Sequence, residues 1–272
     1  MPSATTMFNA AADAVKRHAP SVHELLKWAL RQSKLPIPKL LNGKIMLVAP
    51  EMVRASPTET HILKWIGELL GPGDTFFDVG AHYGWMSLAA CRCVGPDGRV
   101  VAFEPSPPLV ECLRYNKKVN RFRQMEIVAK AVADGDDKLA DFYMVNRGES
   151  FLNSLINHHG ELTRNSSSKG AKIHARTVSL DKFCKTTGLK PDLVKIDVEG
   201  AELLVLQGCA DLLKECRAKF IVAVHPTWLP EGQQASDLFE LFRSHRYRIT
   251  ASQCVEYQGA EFGDYLFVPD SR

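Results

Sequence analysis

Two acidic residues at the ends of apolar stretches are the first candidates for chemistry in this chain. Asp78 lies near the end of one stretch and is followed by Gly80 and Gly84, where a strand would turn into a helix. Glu104 ends a second stretch, twenty residues after Gly84. Glycines allow a tight turn and a close approach of the backbone, and an acidic residue at roughly this spacing binds ribose hydroxyls in dinucleotide sites. Together the two stretches predict a pocket for a ligand that carries a nucleoside.

The glycine pattern bears on which ligand this pocket binds. A nicotinamide or flavin dinucleotide site has three glycines, so that the pyrophosphate can lie on the helix N-terminus, but here position 78 is Asp78 and only Gly80 and Gly84 are glycines. A carboxylate at that place repels pyrophosphate, yet it can accept a hydrogen bond from the ammonium group of S-adenosylmethionine, directly or through water. We therefore expect S-adenosylmethionine in the pocket, bound by Glu104 and by the turn. The turn residues concerned are Asp78, Gly80, Ala81, His82, Tyr83 and Gly84.

A second group of polar residues lies at the ends of two later apolar runs. Asp197 and Glu199 follow one run, and His225 follows the other. The carboxyl ends of parallel strands meet at one edge of a sheet, so these side chains are expected beside Asp78 and Glu104. His225 and Asp197 are rival general bases for a hydroxyl acceptor, since an unperturbed imidazole is mostly neutral at pH 7. Asp197 is also expected to contact the donor, or to hold a divalent metal ion together with Glu199.

Lys195 is the third catalytic candidate, after His225 and Asp197. It lies two residues before Asp197 and hence on the same face of the predicted strand. Its ammonium group can stabilise an alkoxide or pair with a carboxylate, and a purely structural ion pair is the alternative.

Three segments resemble the signature segments of the FkbM family of class I S-adenosylmethionine-dependent methyltransferases. They are Asp78–Gly84, Phe103–Ser106 and Val194–Glu202, and the resemblance extends over residues 58–269. It implies a Rossmann-like fold and methylation of a hydroxyl group on a sugar or another natural product. Further residues that it places at the site are Val132, Ala133 and Asp134, as adenine contacts, and Asn153 and Ser154, near the active site.

Helix and strand patterns alternate from residue 58 onwards, which is typical of a mostly parallel sheet covered by helices on both faces. We predict a Rossmann-like methyltransferase domain over 58–272, with an antiparallel last strand and a strand-rich insertion at about 138–180. Residues 1–57 are predicted to form a short helical appendage. Its expected elements are helices at Phe8–His18 and Ser21–Gln32 and a short strand at Lys44–Ala49.

The distribution of charge bears on possible partners. Residues 1–57 hold eight Lys and Arg against three Asp and Glu, but the basic residues are dispersed, and the rest of the chain is slightly acidic. We therefore expect a small-molecule or carbohydrate acceptor and no nucleic-acid partner. The second predicted helix carries an apolar stripe, which we expect to pack against the catalytic domain of the same chain; a second copy in a homodimer and a lid over the substrate are the alternatives.

The patterns of apolar segments and of cysteines predict a cytoplasmic protein. No apolar run reaches the roughly twenty residues of a transmembrane segment, and the first twenty residues lack the pattern of a secretory signal. The seven cysteines fit free thiols in a reducing compartment better than a disulfide framework. Two other functions remain open, a nicotinamide-dependent oxidoreductase and a catalytically inactive nucleoside-binding protein.

Overall fold

The computed structural model describes residues 32–53, 59–144, 153–157, 171–216, 218–257 and 259–271, together with Leu25, Ala29 and Ala55. The chain divides into two compact units, Met1–Thr58 and Glu59–Arg272. The helix predicted at 8–18 lies outside the described residues, and so does most of the helix predicted at 21–32. Among the described residues, no helix is both long and apolar enough to cross a membrane.

The described part of the first unit is mainly a β-hairpin, which follows the two predicted helices in the sequence. Strands β1 (Ile37–Leu41) and β2 (Lys44–Val48) pair antiparallel around Asn42 and Gly43, which both have positive φ. Asparagine followed by glycine suits a two-residue hairpin turn. Strand β2 was expected, whereas β1 was not. Its Pro38 is tolerated because proline can occupy an edge strand.

The second unit combines an α/β sheet with a smaller strand-rich insertion. Its helices are α1 (Thr60–Leu69), α2 (Trp85–Val94), α3 (Pro107–Asn120), α4 (Leu180–Thr187), α5 (Glu202–Gln207) and α6 (Ala235–Ser244), with a π-helical turn at Leu212–Cys216 and a 3-10 turn at Pro226–Trp228. Its strands are β3 (Thr75–Val79), β4 (Arg99–Phe103), β5 (Met125–Val128), β6 (Ala131–Val132), β7 (Leu139–Met144), β8 (Ala171–Val178), β9 (Leu193–Ile196), β10 (Lys219–Val224), β11 (Tyr247–Tyr257) and β12 (Ala260–Pro269).

Seven strands form the main sheet, in the order β11-β12-β10-β9-β3-β4-β5. The pairs from β10 to β5 are parallel, whereas β12 is antiparallel to both β10 and β11. The predicted mostly parallel α/β sheet with an antiparallel last strand is confirmed. After β3 the chain adds β4 and β5 on one side and later β9 and β10 on the other, so the strand order reverses between β3 and β9. Such a reversal opens a crevice at the carboxyl ends of the two strands.

Aromatic packing fixes the strands that border this crevice. Phe77 of β3, Phe103 of β4 and Phe183 of α4 meet edge to face, with ring centroids 5.7, 5.6 and 5.0 Å apart. All three are buried in the same core as Val194 and Ile196 of β9. Edge-to-face contacts are favourable and directional, so they set how the carboxyl ends of β3, β4 and β9 lie side by side.

The insertion forms its own small sheet, in the order β6-β8-β7. β7 and β8 pair antiparallel, and β6 pairs with β8 instead of extending β5. Ser154, in a described segment that bridges to Tyr143, is 1% exposed. Its Oγ donates a hydrogen bond of 2.8 Å to the carbonyl oxygen of Glu199, with the Val198 carbonyl oxygen at 3.0 Å. The insertion is thereby tied to the edge of the crevice.

Candidate active site

An inner cluster of Asp78, Ser87 and Lys195 lies at the base of the crevice. Ser87, in the first turn of α2, donates a hydrogen bond of 2.5 Å to Asp78 Oδ2, and Lys195 Nζ of β9 is 3.7 Å from Asp78 Oδ1. Burial raises the pKa of Asp78, although Lys195 and Ser87 act in the opposite direction. Asp78 is fully buried, and its Oδ1 accepts no hydrogen bond from any described residue. The inner cluster therefore contains a buried carboxylate with one acceptor position left over.

The turn after β3 explains why position 80 is glycine. Gly80 has a φ of 76°, and a Cβ added there would lie 1.9 Å from the carbonyl oxygen of Asp197. The glycine thus allows the ends of β3 and β9 to approach each other closely. The sequence pattern predicts instead that it allows the backbone to approach the ligand. Gly84, which begins α2 with a φ of 86°, is similarly constrained by Leu113. Between the glycines, Ala81 and Tyr83 are buried.

Lys195 joins the two sides of the crevice. Its Nζ donates to the Gly80 carbonyl oxygen at 3.1 Å and lies 3.1 Å from Asp197 Oδ2. Burial alone lowers the pKa of a lysine, but the negative charges of Asp197, Asp78 and Glu59 outweigh burial and raise the pKa of Lys195. Lys195 is therefore a permanent buried cation, and its role as a structural ion pair is the one that its contacts support directly.

Glu104 occupies the end of β4, as the sequence predicts. Its Oε2 accepts a hydrogen bond from the His82 backbone N–H and its Oε1 accepts one from the Ser106 N–H, each at 2.9 Å. Glu104 is 4% exposed, and burial raises its pKa to about 7, against the two backbone hydrogen bonds. His82, whose N–H binds this carboxylate, has a left-handed backbone conformation with a φ of 52°. The protein itself thus orients Glu104, and each oxygen keeps a second lone pair.

A rim cluster of Asp197, Glu199, Glu202 and His225 lies at the ends of β9 and β10. His225 Nε2 is 3.2 Å from Glu199 Oε2 and 3.8 Å from Asp197 Oδ1, and Nδ1 is 2.8 Å from Glu202 Oε1. The side chains of Asp197, Glu199 and His225 are 20%, 11% and 12% exposed, whereas that of Glu202 is fully buried. Glu199 has a φ of 54°, a strained conformation for a residue other than glycine.

The residues of the rim cluster shift one another's pKa values. Burial acts to lower the pKa of His225, but Glu202 and the two carboxylates near Nε2 raise it to about 10. Burial also raises the pKa of Glu199 well above its ordinary value, whereas Lys195 and His225 overcome burial and lower the pKa of Asp197. The expectation of a mostly neutral His225 at pH 7 is wrong for this arrangement, because three carboxylates hold its proton. Asp197 is the ionised, partly exposed carboxylate of the cluster.

Aromatic side chains enclose His225 on two sides. Trp228 stacks on the imidazole, with centroids 5.0 Å apart and an interplanar angle of 9°, and Phe262 meets both rings edge to face. Phe262 comes from β12, the antiparallel strand next to β10. The rim cluster is therefore bordered by an apolar wall.

Sequence reasoning missed three titratable residues of this region, Glu59, His61 and Asp264. His61 Nε2 of α1 is 2.7 Å from Asp264 Oδ2 of β12. Burial and the charge of Asp197 raise the pKa of Glu59 to about 7 and raise that of Asp264 as well. The contact joins positions 203 residues apart, and no local pattern marks either residue.

The residues assigned to adenine lie in and just after β6. Val132 and Ala133 are buried, and Val132 packs into the core with Phe103. Asp134 is exposed. The adenine contacts of Val132, Ala133 and Asp134 therefore remain a prediction from the family resemblance.

Comparison with known proteins bears on the identity of this site. A family model of the methyltransferase FkbM domain matches residues 78–249. Among curated proteins, the AMB antimetabolite synthetase AmbE of Pseudomonas aeruginosa is 28% identical over 225 residues, which cover 72% of this chain and 10% of the synthetase. This chain therefore corresponds to a small part of that relative.

Two solved structures are among those to which this chain is similar. The methyltransferase FkbM from Methylobacillus flagellatus is 16% identical with a TM-score of 0.46, and the match covers 76% of this chain and 51% of that one. P. horikoshii TYW2 in complex with MeSAdo is 12% identical with a TM-score of 0.50, and the match covers 86% and 71%.

The matched family segment contains both clusters, from Asp78 at the end of β3 to His225 at the end of β10. It also contains Glu104, whose position relative to Gly84 suggested a nucleoside ligand. The alternative of a nicotinamide-dependent oxidoreductase is accordingly set aside. Because the family model matches more than half of the chain, this protein belongs to the FkbM family of S-adenosylmethionine-dependent methyltransferases.

Proposed function

We propose that this enzyme transfers the methyl group of S-adenosylmethionine to a hydroxyl group of a sugar or another small natural product. The observation that carries the proposal is the rim cluster, in which ligand atoms of Asp197, Glu199 and His225 lie within 4.8 Å of one another. These partly exposed groups border the crevice that also contains the inner cluster. O-methyl transfer requires alignment of donor and acceptor and removal of the hydroxyl proton, and a set of carboxylates and imidazole serves both needs.

The inner cluster and Glu104 fit the methyl donor. Asp78 Oδ1 is a buried acceptor without a hydrogen-bond donor among the described residues, which suits the donor's ammonium group, reached through water because Asp78 is fully buried. Glu104 has lone pairs left for the ribose hydroxyls. Asp197, the other candidate for this contact, belongs to the rim cluster and serves the acceptor. The surplus of carboxylates also favours a ligand with a positive sulfonium.

The apolar border of the rim cluster favours a carbohydrate or another acceptor that contains a ring. Trp228 and Phe262 present apolar surface beside the carboxylates of Asp197 and Glu199. Such a surface accommodates the apolar face of a ring while the carboxylates accept hydrogen bonds from its hydroxyl groups.

We further propose that Asp197, Glu199 and His225 hold a divalent cation. Glu202 binds His225 Nδ1 and so directs Nε2 towards the other two carboxylates, an arrangement common in histidine metal sites. A magnesium or manganese ion there would polarise the acceptor hydroxyl. In the absence of an ion, Asp197 accepts the hydroxyl proton, because His225 keeps its own.

The cellular setting proposed for this reaction is the cytoplasm. All seven cysteines are free thiols, which supports a reducing compartment.

Calorimetric titration tests the donor. S-adenosylhomocysteine should bind, and NAD should not, because no pyrophosphate site accompanies Asp78. Tight binding of NAD without a response to S-adenosylhomocysteine would contradict the proposed donor. Assays with matched hydroxyl and amine acceptors test the second substrate, and transfer to the amines alone would contradict O-methylation.

Manganese binding, followed by electron paramagnetic resonance, tests the cation. Wild type should bind Mn²⁺, Asp197→Asn should not, and His225→Gln should bind at least about tenfold more weakly. His61→Gln, which changes the separate pair of His61 with Asp264, should bind Mn²⁺ like wild type. Turnover should collapse in chelator and return with added Mg²⁺ or Mn²⁺. Full turnover in chelator together with an active His225→Ala variant would leave Asp197 as the metal-free base.

A further inference from the structure

Glu59 is an acidic residue near the crevice to which the proposed function gives no role. It is the residue before α1, and its side chain does not cap that helix. Glu59 is half-buried, and among the described residues no hydrogen bond or ion pair reaches its carboxylate. A carboxylate that is partly withdrawn from water without a partner is unfavourable, so Glu59 is a candidate for binding a cationic group of a ligand.

His61 fixes the first turn of α1 over the main sheet. Its Nε2 lies 2.7 Å from Asp264 Oδ2 of β12. Asp264 is opposite Ala223 of β10, and β10 runs parallel to β9, which leads into Asp197. Because neighbouring strands lie about 4.8 Å apart, Asp264 and Asp197 stand about 10 Å apart in one row, on either side of a residue that has only a methyl group. The chain just before α1, with Glu59, is thereby held over this row.

The charges of both clusters act on Glu59. Burial and the charge of Asp197 raise the pKa of Glu59 to about 7, whereas the charge of Lys195 lowers it. Lys195 Nζ lies 3.1 Å from Asp197 Oδ2 and 3.7 Å from Asp78 Oδ1, but in the described part of the chain it forms no ion pair with Glu59. Three carboxylates therefore share one lysine, and a cationic group of a ligand would balance the charge that remains.

An organic cation fits this position better than a metal ion. The described residues that could hold a metal together are Asp197, Glu199 and His225, and Glu59 is not among them. In the proposed reaction, the methyl donor carries an ammonium group at the end of its amino-acid chain. Glu104 accounts for the ribose at the end of β4, and β3 and β9 are the next strands of the sheet. The two strand spacings from β4 to β9 are about 10 Å, a distance that the amino-acid chain of the donor covers.

We propose that Glu59 binds the ammonium group of the methyl donor directly, by charge-assisted hydrogen bonds, while Asp78 reaches the same group through water. This inference rests on the proposed donor and names the residue that recognises its amino-acid end. Glu59 precedes the segment that the family model matches, residues 78–249. The start of α1 is thus a part of the donor site that the family segment does not contain.

Calorimetric titration with two ligands tests this inference. They are S-adenosylhomocysteine and its deaminated analogue, in which hydrogen replaces the ammonium group and the carboxylate is kept. Glu59→Gln keeps the shape of the side chain and removes its charge without removing a helix cap. The substitution should weaken binding of S-adenosylhomocysteine at least about tenfold, because a charge-assisted hydrogen bond is lost. Wild type should bind the analogue at least about tenfold more weakly than S-adenosylhomocysteine, and Glu59→Gln should cause no further loss for the analogue.

A matched control lies on the same helix. Glu68→Gln removes an exposed carboxylate near the other end of α1, which pairs with Lys64, and should bind both ligands like wild type. If wild type binds S-adenosylhomocysteine and Glu59→Gln binds it equally well, this inference alone is overturned. An equal loss for both ligands would also overturn it, since that result indicates damage to α1 and not a lost contact with the ammonium group. Failure of wild type to bind S-adenosylhomocysteine would overturn the proposed donor together with this inference.

Discussion

The inner cluster and the rim cluster both contain buried carboxylates at the same edge of the main sheet. The negative charges of these carboxylates are balanced differently in the two clusters. Asp78 of the inner cluster is bound by Ser87 and Lys195, which stand on fixed elements of the fold. The carboxylates of the rim cluster instead surround His225 and raise its pKa. The inner cluster has a charge state set by the fold, whereas the rim cluster has one that a ligand can change.

This difference separates binding from chemistry. A preorganised carboxylate binds a cationic group without rearrangement, which suits a donor common to every turnover. A cluster that exchanges protons suits the acceptor, whose hydroxyl must lose one. Lys195 contacts carboxylates of both clusters, so a substitution at Lys195 should disturb both clusters at once.

The largest effect on stability is expected for Lys195→Met. The substitution keeps the length of the side chain but leaves Asp78 and Asp197 without their buried cation, which should lower the free energy of unfolding by about 3–5 kcal/mol at pH 7. Urea denaturation measures this. Lys185→Met is the control, because Lys185 pairs with Asp211 on the exposed surface and its loss should have little effect. Equal effects of the two substitutions would contradict the fixed charge of the inner cluster.

Gly80→Ala should be the next most damaging change. The added Cβ would collide with the Asp197 carbonyl and adopt a left-handed conformation, so we expect a loss of about 2–4 kcal/mol in the free energy of unfolding. Gly188→Ala is a matched control, with a φ of 74° and no heavy atom within 4 Å of the added Cβ. It should lose about 1 kcal/mol. Similar losses at both positions would show that β3 and β9 do not approach closely at Gly80.

Glu104→Ala should weaken binding of S-adenosylhomocysteine by about 2–3 kcal/mol, because two hydrogen bonds between a carboxylate and the ribose are lost. The same change leaves the N–H groups of His82 and Ser106 without their partner, so the thermal midpoint should fall as well. Calorimetry on the folded variant separates the two effects. Glu126→Ala, on the next strand, should bind the ligand normally, and unchanged affinity in Glu104→Ala would place the ribose elsewhere.

The smallest expected effect is a proton released on donor binding. Burial raises the pKa of Glu104 to about 7, so its stabilising contribution to the free protein is fully present below pH 4.5 and is lost as pH rises through 7. Ribose hydroxyls favour the ionised carboxylate, so affinity should rise by up to about tenfold per pH unit below 7 and level off above it. Titrations in buffers of different ionisation enthalpy measure the proton. A pH-independent affinity, or the same pH profile in Glu104→Gln, would contradict this assignment.

Sequence reasoning succeeded where the signal is local. The strand, turn and helix around Asp78, and the strand that ends at Glu104, follow from apolar runs and glycines within short stretches. Asp197 and His225 were predicted at one edge because parallel strands share their carboxyl ends. The contact between Glu202 and His225, and that between His61 and Asp264, depend on how distant elements pack. Sequence patterns therefore identified His225, Asp197 and Glu199, but not the contact with Glu202, which does most to raise the pKa of His225.

Gly80 also shows that sequence patterns can predict a local turn but not the distant residue that packs against it. Its presence in a turn was predictable, since glycine readily adopts positive φ. The neighbour that makes it necessary, the Asp197 carbonyl, lies on a strand more than a hundred residues later. The orientation of Glu104 by the His82 and Ser106 N–H groups is local, and it was missed because sequence spacing does not show where a side chain is already hydrogen-bonded.

A serine that ties the insertion to the crevice has an evolutionary consequence. Ser154 binds the Glu199 carbonyl through its side chain, while the main sheet keeps its own backbone pairing. Phe142 and Met144 of β7 pack in a small core apart from that of Phe77 and Phe103, so substitutions in β7 can accumulate without altering the strands that carry Asp78 and Glu104. The lineage can diversify the compounds it modifies while inheriting one unchanged way of binding its methyl donor.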